Sequence, residues 1–66
     1  MKRTKLMKDI AKQAKSTGHE WALVRQGGSH EVWRYGTLLV SIPRHTDINE
    51  ITAKAILKDI EEEESR

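Results

Sequence analysis

Three short β-rich segments lie side by side in the middle of this chain, joined by links with room for little more than a turn. Glu20 to Gln26 alternates, with Trp21, Leu23 and Arg25 on one face and Ala22 and Val24 on the other. His30 to Tyr35 is dense in β-forming residues, and Thr37-Leu38-Leu39-Val40-Ser41-Ile42 follows it. Gly27-Gly28-Ser29 separates the first two segments and Gly36 the second pair, both links of hairpin length. The three strands are therefore expected to form an antiparallel meander. Pro43, which has no N–H to give to a ladder, stops it.

Helical periods flank the meander. From about Thr4 to Thr17, Leu6, Met7, Ile10, Ala11 and Ala14 fall on one stripe, while Lys5, Lys8, Lys12 and Lys15 lie largely elsewhere. Gly18 ends this helix as a residue in the left-handed conformation would. Asp47-Ile48-Asn49-Glu50 reads as a capping box, with Asp47 as the cap and Glu50 reaching back. A second helix follows to about Glu62, its Ile48, Ile51, Ala55, Ile56 and Ile60 facing the same sheet face as the first. The result is one α+β domain, a two-layer α-β-β-β-α sandwich with a core of about residues 4–62 and an acidic tail at 61–66. Leu38, Val40 and Ile42 are apolar on one side of the third strand and Leu39 on the other. The alternation alone does not choose which sheet face the helices cover.

At 66 residues the chain has room for a thin core, of a size at which burial alone leaves stability marginal. It has no cysteine, which removes disulfides, thiolate nucleophiles and cysteine-ligated zinc. Its three histidines show no paired ligand spacing, so no metal site and no cofactor is expected. No apolar run approaches the ~18 residues of a membrane span, and no apolar segment follows the basic Met1-Lys2-Arg3-Thr4-Lys5 as a signal sequence would require. A cytoplasmic protein is expected. Residues 1–45 hold nine Lys and Arg against three Asp and Glu, whereas 46–66 hold three against seven. The basic portion suits a phosphate backbone and the run Glu61-Glu62-Glu63-Glu64 does not; that run reads as a fraying tail.

The chemistry concentrates in Gln26-Gly27-Gly28-Ser29-His30. A tight turn, its glycines read as permitting positive φ, delivers one imidazole to the first position of a strand. His19 beside Gly18 suits a helix C-terminus, and His45 after Pro43-Arg44 reads as a loop residue. Trp21 shares its alternation with Leu23 and reads as core. Trp33 and Tyr35 share the face opposite His30, and at least one of them is expected to be exposed or covered by a partner.

Val24-Arg25-Gln26-Gly27-Gly28-Ser29-His30, the strand Glu31-Val32-Trp33-Arg34-Tyr35, the segment Val40-Ser41-Ile42-Pro43-Arg44-His45 and the late-helix Ala55-Ile56-Leu57-Lys58 together resemble the HicA-type toxins, the messenger-RNA interferases of HicA–HicB type II toxin–antitoxin pairs. The resemblance spans roughly residues 5–60. It implies a double-stranded-RNA-binding-like fold, an mRNA substrate, a HicB-like antitoxin partner and catalysis by His30. Glu31 stands where members of that family often carry a second histidine or another polar residue, and the link at Gly36 is short for the family.

Metal-free RNA cleavage needs a base for the 2′-hydroxyl, donors for the charge on phosphate and an acid for the leaving oxygen. His30 is the catalytic candidate. Arg34, two residues along the strand and so on its face, is the first candidate for a phosphate contact. Arg25, Arg44, Ser29, the Gly28 amide and the Lys and Arg of the first helix, Lys5 and Lys12 among them, complete the set. Two classes stay open: a ribonuclease toxin, or a non-catalytic module of the same fold that binds RNA or a protein, which Glu31 and the acidic tail would favour. No helix-turn-helix pattern supports DNA binding.

Overall fold

The structure, a computed structural model, describes residues 1–65. The elements follow as α1 (Arg3–Thr17), β1 (Trp21–Gln26), β2 (His30–Tyr35), β3 (Leu38–Pro43) and α2 (Glu50–Glu64). The strands form one antiparallel sheet in the order β1-β2-β3, so the strand that begins at His30 is the central one.

Register decides which face is which. Tyr35 stands opposite Trp21 and Leu38, Trp33 opposite Leu23 and Val40, and Glu31 opposite Ile42. Residues directly opposite in an antiparallel pair share a face. The core joins Tyr35, Val40 and Ile42 from that face to Leu6, Ile10 and Ala14 of α1 and Ala53, Ile56 and Ile60 of α2. Both helices therefore cover the Glu31-Trp33-Tyr35 face, giving the α-β-β-β-α sandwich. His30, Val32 and Arg34 occupy the other, open face. No helix among the described residues is long and apolar enough to cross a membrane.

The helix ends differ in detail from the sequence reading. Gly18 closes α1 at φ 75°, and the His19 N–H donates to the Ala14 carbonyl at 2.9 Å. The cap of α2 is Asn49, whose side chain accepts from the Ile51 N–H at 2.8 Å, not Asp47. Asp47 instead lies opposite Lys2 in a short bridge, flanked by hydrogen bonds from Arg3 N to Thr46 O at 2.9 Å and from Ile48 N to Met1 O at 2.7 Å. That pairing holds residues 46–48 extended, so the helix starts later and its inward stripe changes phase. Ala53, Ile56 and Ile60 are buried, whereas Ile51 is 79% exposed and Ala55 is exposed as well. On α1, Ala11 also faces solvent.

The glutamate run is not a fraying tail. Residues 61–64 form the last turn of α2. The carboxylate of Glu63, a buried residue, accepts from the Thr37 N–H at 3.1 Å and the Thr37 hydroxyl at 2.6 Å. Glu64 accepts from the Tyr35 hydroxyl and, at 3.0 Å, from the Gln13 amide. These bonds fasten the end of α2 to α1 and to the β2–β3 turn.

Candidate active site

His30 opens the central strand with its side chain exposed on the uncovered sheet face, opposite Pro43 of β3. Its ring Nδ1 lies 3.0 Å from the Ser29 hydroxyl. No other hydrogen bond holds the ring among the described residues, so Nε2 is open to a ligand.

The turn that presents this ring is braced from two sides. The Gly27 N–H donates to the His30 carbonyl at 2.8 Å, closing the hairpin. The Arg44 N–H donates to the Ser29 carbonyl at 3.0 Å, and the Arg44 guanidinium donates to the Gly27 carbonyl at 3.1 Å. Arg44 thus ties the exit of β3 to the turn. Neither Gly27 nor Gly28 has positive φ; among the described residues that conformation occurs at Gly18 and Gly36. What Gly27 supplies is closeness, because a Cβ there would sit 3.1 Å from the His30 carbonyl oxygen. A Cβ on Gly28 would meet open space.

The cations divide between the two layers. Arg34 shares the open face with His30 and pairs through Nε with Glu20 at 3.2 Å. Arg25 joins them there against the simple alternation. The register slips between Leu23 and Arg25, a β-bulge that puts Arg25 opposite Val32 rather than opposite Glu31. His45 is exposed in the loop after β3. Lys5 and Lys12 stand on the helical layer, beside depressions lined by α1 and α2. Lys5 pairs there with Asp9 at 3.3 Å. The fold therefore puts His30 and Arg34 on the open face with Gly28 and Ser29 in the turn at its end, ties Arg44 to that turn from the exit of β3, and leaves the two lysines on the helical layer.

Glu31, the charge that stands next to the imidazole in sequence, points into the opposite layer. It accepts from the Trp33 indole N–H at 3.0 Å, from the Arg3 guanidinium, and from the Gln26 amide at 3.3 Å. The Trp33 hydrogen bond, followed by the charge and hydrogen bond of Arg3 and the more distant charge of Arg44, holds its carboxyl below the ordinary value of 4.5 against the opposing effect of burial. Arg3 also donates to the Pro43 carbonyl at 2.9 Å, so the start of α1 clamps the beginning of β2 and the end of β3 together. Sequence reasoning missed Arg3, which reads there as one more basic residue of the N-terminal segment.

The aromatic residues all belong to the helical layer. Tyr35 is fully buried, and Trp33 is half-buried and stacked on Trp21 with ring centres 4.7 Å apart. Of the two residues expected to be exposed or covered by a partner, Tyr35 is covered by the chain's own helices and Trp33 keeps part of its surface open. His19 stacks on Tyr35 at 5.0 Å and shares a 2.8 Å hydrogen bond with the Thr17 hydroxyl.

Comparison with protein families finds a match between residues 7–61 and the family described as the HicA toxin of bacterial toxin–antitoxin. No curated protein and no solved structure matches the chain.

Proposed function

The chain belongs to the HicA toxin family, and from that membership we propose that it is a metal-independent endoribonuclease that cuts messenger RNA with His30 as general acid–base and is neutralised by a HicB-like antitoxin. The observation that carries this reading is the presentation of His30. One ring nitrogen is engaged by Ser29, the other is open, and the backbone beneath it is pinned by Gly27 and Arg44.

In this reaction Nε2 takes the proton of a ribose 2′-hydroxyl, and the freed oxygen attacks the adjacent phosphorus. The imidazolium returns that proton to the 5′-oxygen as its bond to phosphorus breaks, leaving a 2′,3′-cyclic phosphate and a 5′-hydroxyl. A positioned acid–base group contributes about 10²–10⁴-fold, and the remainder must come from cations around the phosphate. Arg34 is on the same face, the Ser29 hydroxyl contacts the ring, and the Gly28 amide belongs to the turn that precedes it. Arg44 serves chiefly by holding the turn. The features that would favour a module that binds without cutting, Glu31 and the glutamate run, lie in the helical layer and carry no charge onto the His30 face.

Cleavage of a single-stranded messenger RNA by the purified protein in EDTA, parent against His30→Ala, tests the proposal. The parent is expected to cut, and the variant to cut at least about 100-fold more slowly while still binding RNA. Binding by both with cutting by neither would replace the nuclease with an RNA-binding module.

A further inference from the structure

We propose that Arg25 is a phosphate-binding residue of the RNA site, brought to the His30 face by the bulge in β1. The inference rests on the reading of that face as an RNA site. Regular alternation from Trp21 would put Arg25 on the helical side, opposite Glu31. The extra residue in β1 changes this, so that Arg25 pairs with Val32 and Gln26 takes the position opposite Glu31. The hydrogen bond from Gln26 to Glu31 at 3.3 Å agrees with that register. Bulges commonly re-aim a side chain beside a functional site.

Val32 lies midway between His30 and Arg34 along β2. Arg25, directly opposite it, is the diagonal cross-strand neighbour of both, at a typical spacing of about 7–8 Å, which long side chains span. Its state of engagement also sets it apart. Arg3 is held by Glu31, Arg34 by Glu20 and Arg44 by the Gly27 carbonyl. The exposed Arg25 side chain has no hydrogen bond or ion pair among the described residues. A guanidinium left free, on the strand position diagonal to the imidazole, offers a planar fork that matches two phosphate oxygens and needs no internal partner released first.

The experiment measures binding of a single-stranded RNA to the His30→Ala chain, which removes cleavage from the readout, across a series of salt concentrations. Adding Arg25→Gln is expected to weaken binding about tenfold and to lower the slope of log affinity against log salt by about 0.7, the value of one phosphate contact on a single strand. Arg25→Lys keeps the charge and should restore the slope while recovering only part of the affinity. Lys54→Gln, on the exposed side of α2, is the control for loss of charge alone. Unchanged affinity and slope in Arg25→Gln, or an equal change in Lys54→Gln, would overturn the assignment and leave the nuclease reading standing. Failure of the His30→Ala chain to bind RNA at any salt would overturn both.

Discussion

Glu31 shows how a single residue can read one way in the chain and act another way in the fold. Next to the proposed catalytic histidine its charge would repel RNA, yet the period-2 pleat sends it to the opposite face, where Trp33, Arg3 and Gln26 receive it. Because its folded pKa is lowered, its contribution to stability is complete above the ordinary value of 4.5 and is lost as pH falls through the lowered value. Thermal melting from pH 6 downward should show this acid loss in the parent and a weaker one in Glu31→Gln. Gly27→Ala is a second test. Its Cβ would crowd the His30 carbonyl, so cleavage should fall more than in Gly28→Ala, which adds a methyl group to open space. At this scale the sequence shows clearly what depends on residue type and alternation: the imidazole, its serine neighbour and the placement of Arg34. It hides what depends on distant pairing, such as the Arg3 clamp across 28 positions to Glu31.

The elements themselves were legible because their punctuation is local: Gly18, Gly27-Gly28, Gly36 and Pro43 cut the chain close to where the helices and strands end. Three features were not, and each has a non-local cause. The start of α2 moved from Asp47 to Asn49 because residues 1–3 pair with 46–48. The bulge in β1 has no signature in Leu23-Val24-Arg25. The glutamate run became helix because Thr37, Tyr35 and Gln13 supply partners that a tail would lack. Replacing the true cap, Asn49→Ala, should cost about 1 kcal/mol by denaturant unfolding, with Asp47→Ala costing less. Gly36→Ala combines a left-handed φ of 63° with a Cβ 3.0 Å from His19 and 3.1 Å from Glu63. It should lose at least about 1–2 kcal/mol. Tyr35 gives the alkaline counterpart of Glu31. Burial first, and then its hydrogen bond to Glu64, raise its phenol above 10.0, so the neutral form is the one the fold holds. That contribution is complete below pH 10.0 and disappears as pH rises through the raised value, and Tyr35→Phe should flatten this part of the melting profile.

For the whole molecule, the division into layers separates two tasks. The helical layer contains the aromatics, the buried carboxylate and the core. The open face carries the imidazole and arginines together with Leu39 and Val24, which are 61% and 48% exposed. A partner that closes this face would remove apolar surface and, on the proposed function, nuclease activity in one step, and would stabilise a chain with so thin a core. At a partner concentration 100 times Kd the gain is about 2.7 kcal/mol, which for a domain of this size raises the melting temperature by about 10 °C or more. Calorimetry of the chain with and without its antitoxin, beside a cleavage assay on the same samples, would measure both effects. Stabilisation without inhibition would place the antitoxin on some other surface.

The position of His30 on the central strand also bears on motion. β2 is paired along both edges, so its amides should be the last in the sheet to exchange with solvent, and the imidazole rides on the part of the molecule least able to open locally. If the proposed cleavage holds, the adaptable member of the encounter is the RNA, which must give up its own freedom to bring a 2′-hydroxyl and the next phosphate to a ring carried on a rigid strand. Such a site selects by how readily a strand can bend into place, and unpaired, weakly stacked stretches of message should be cut before folded ones.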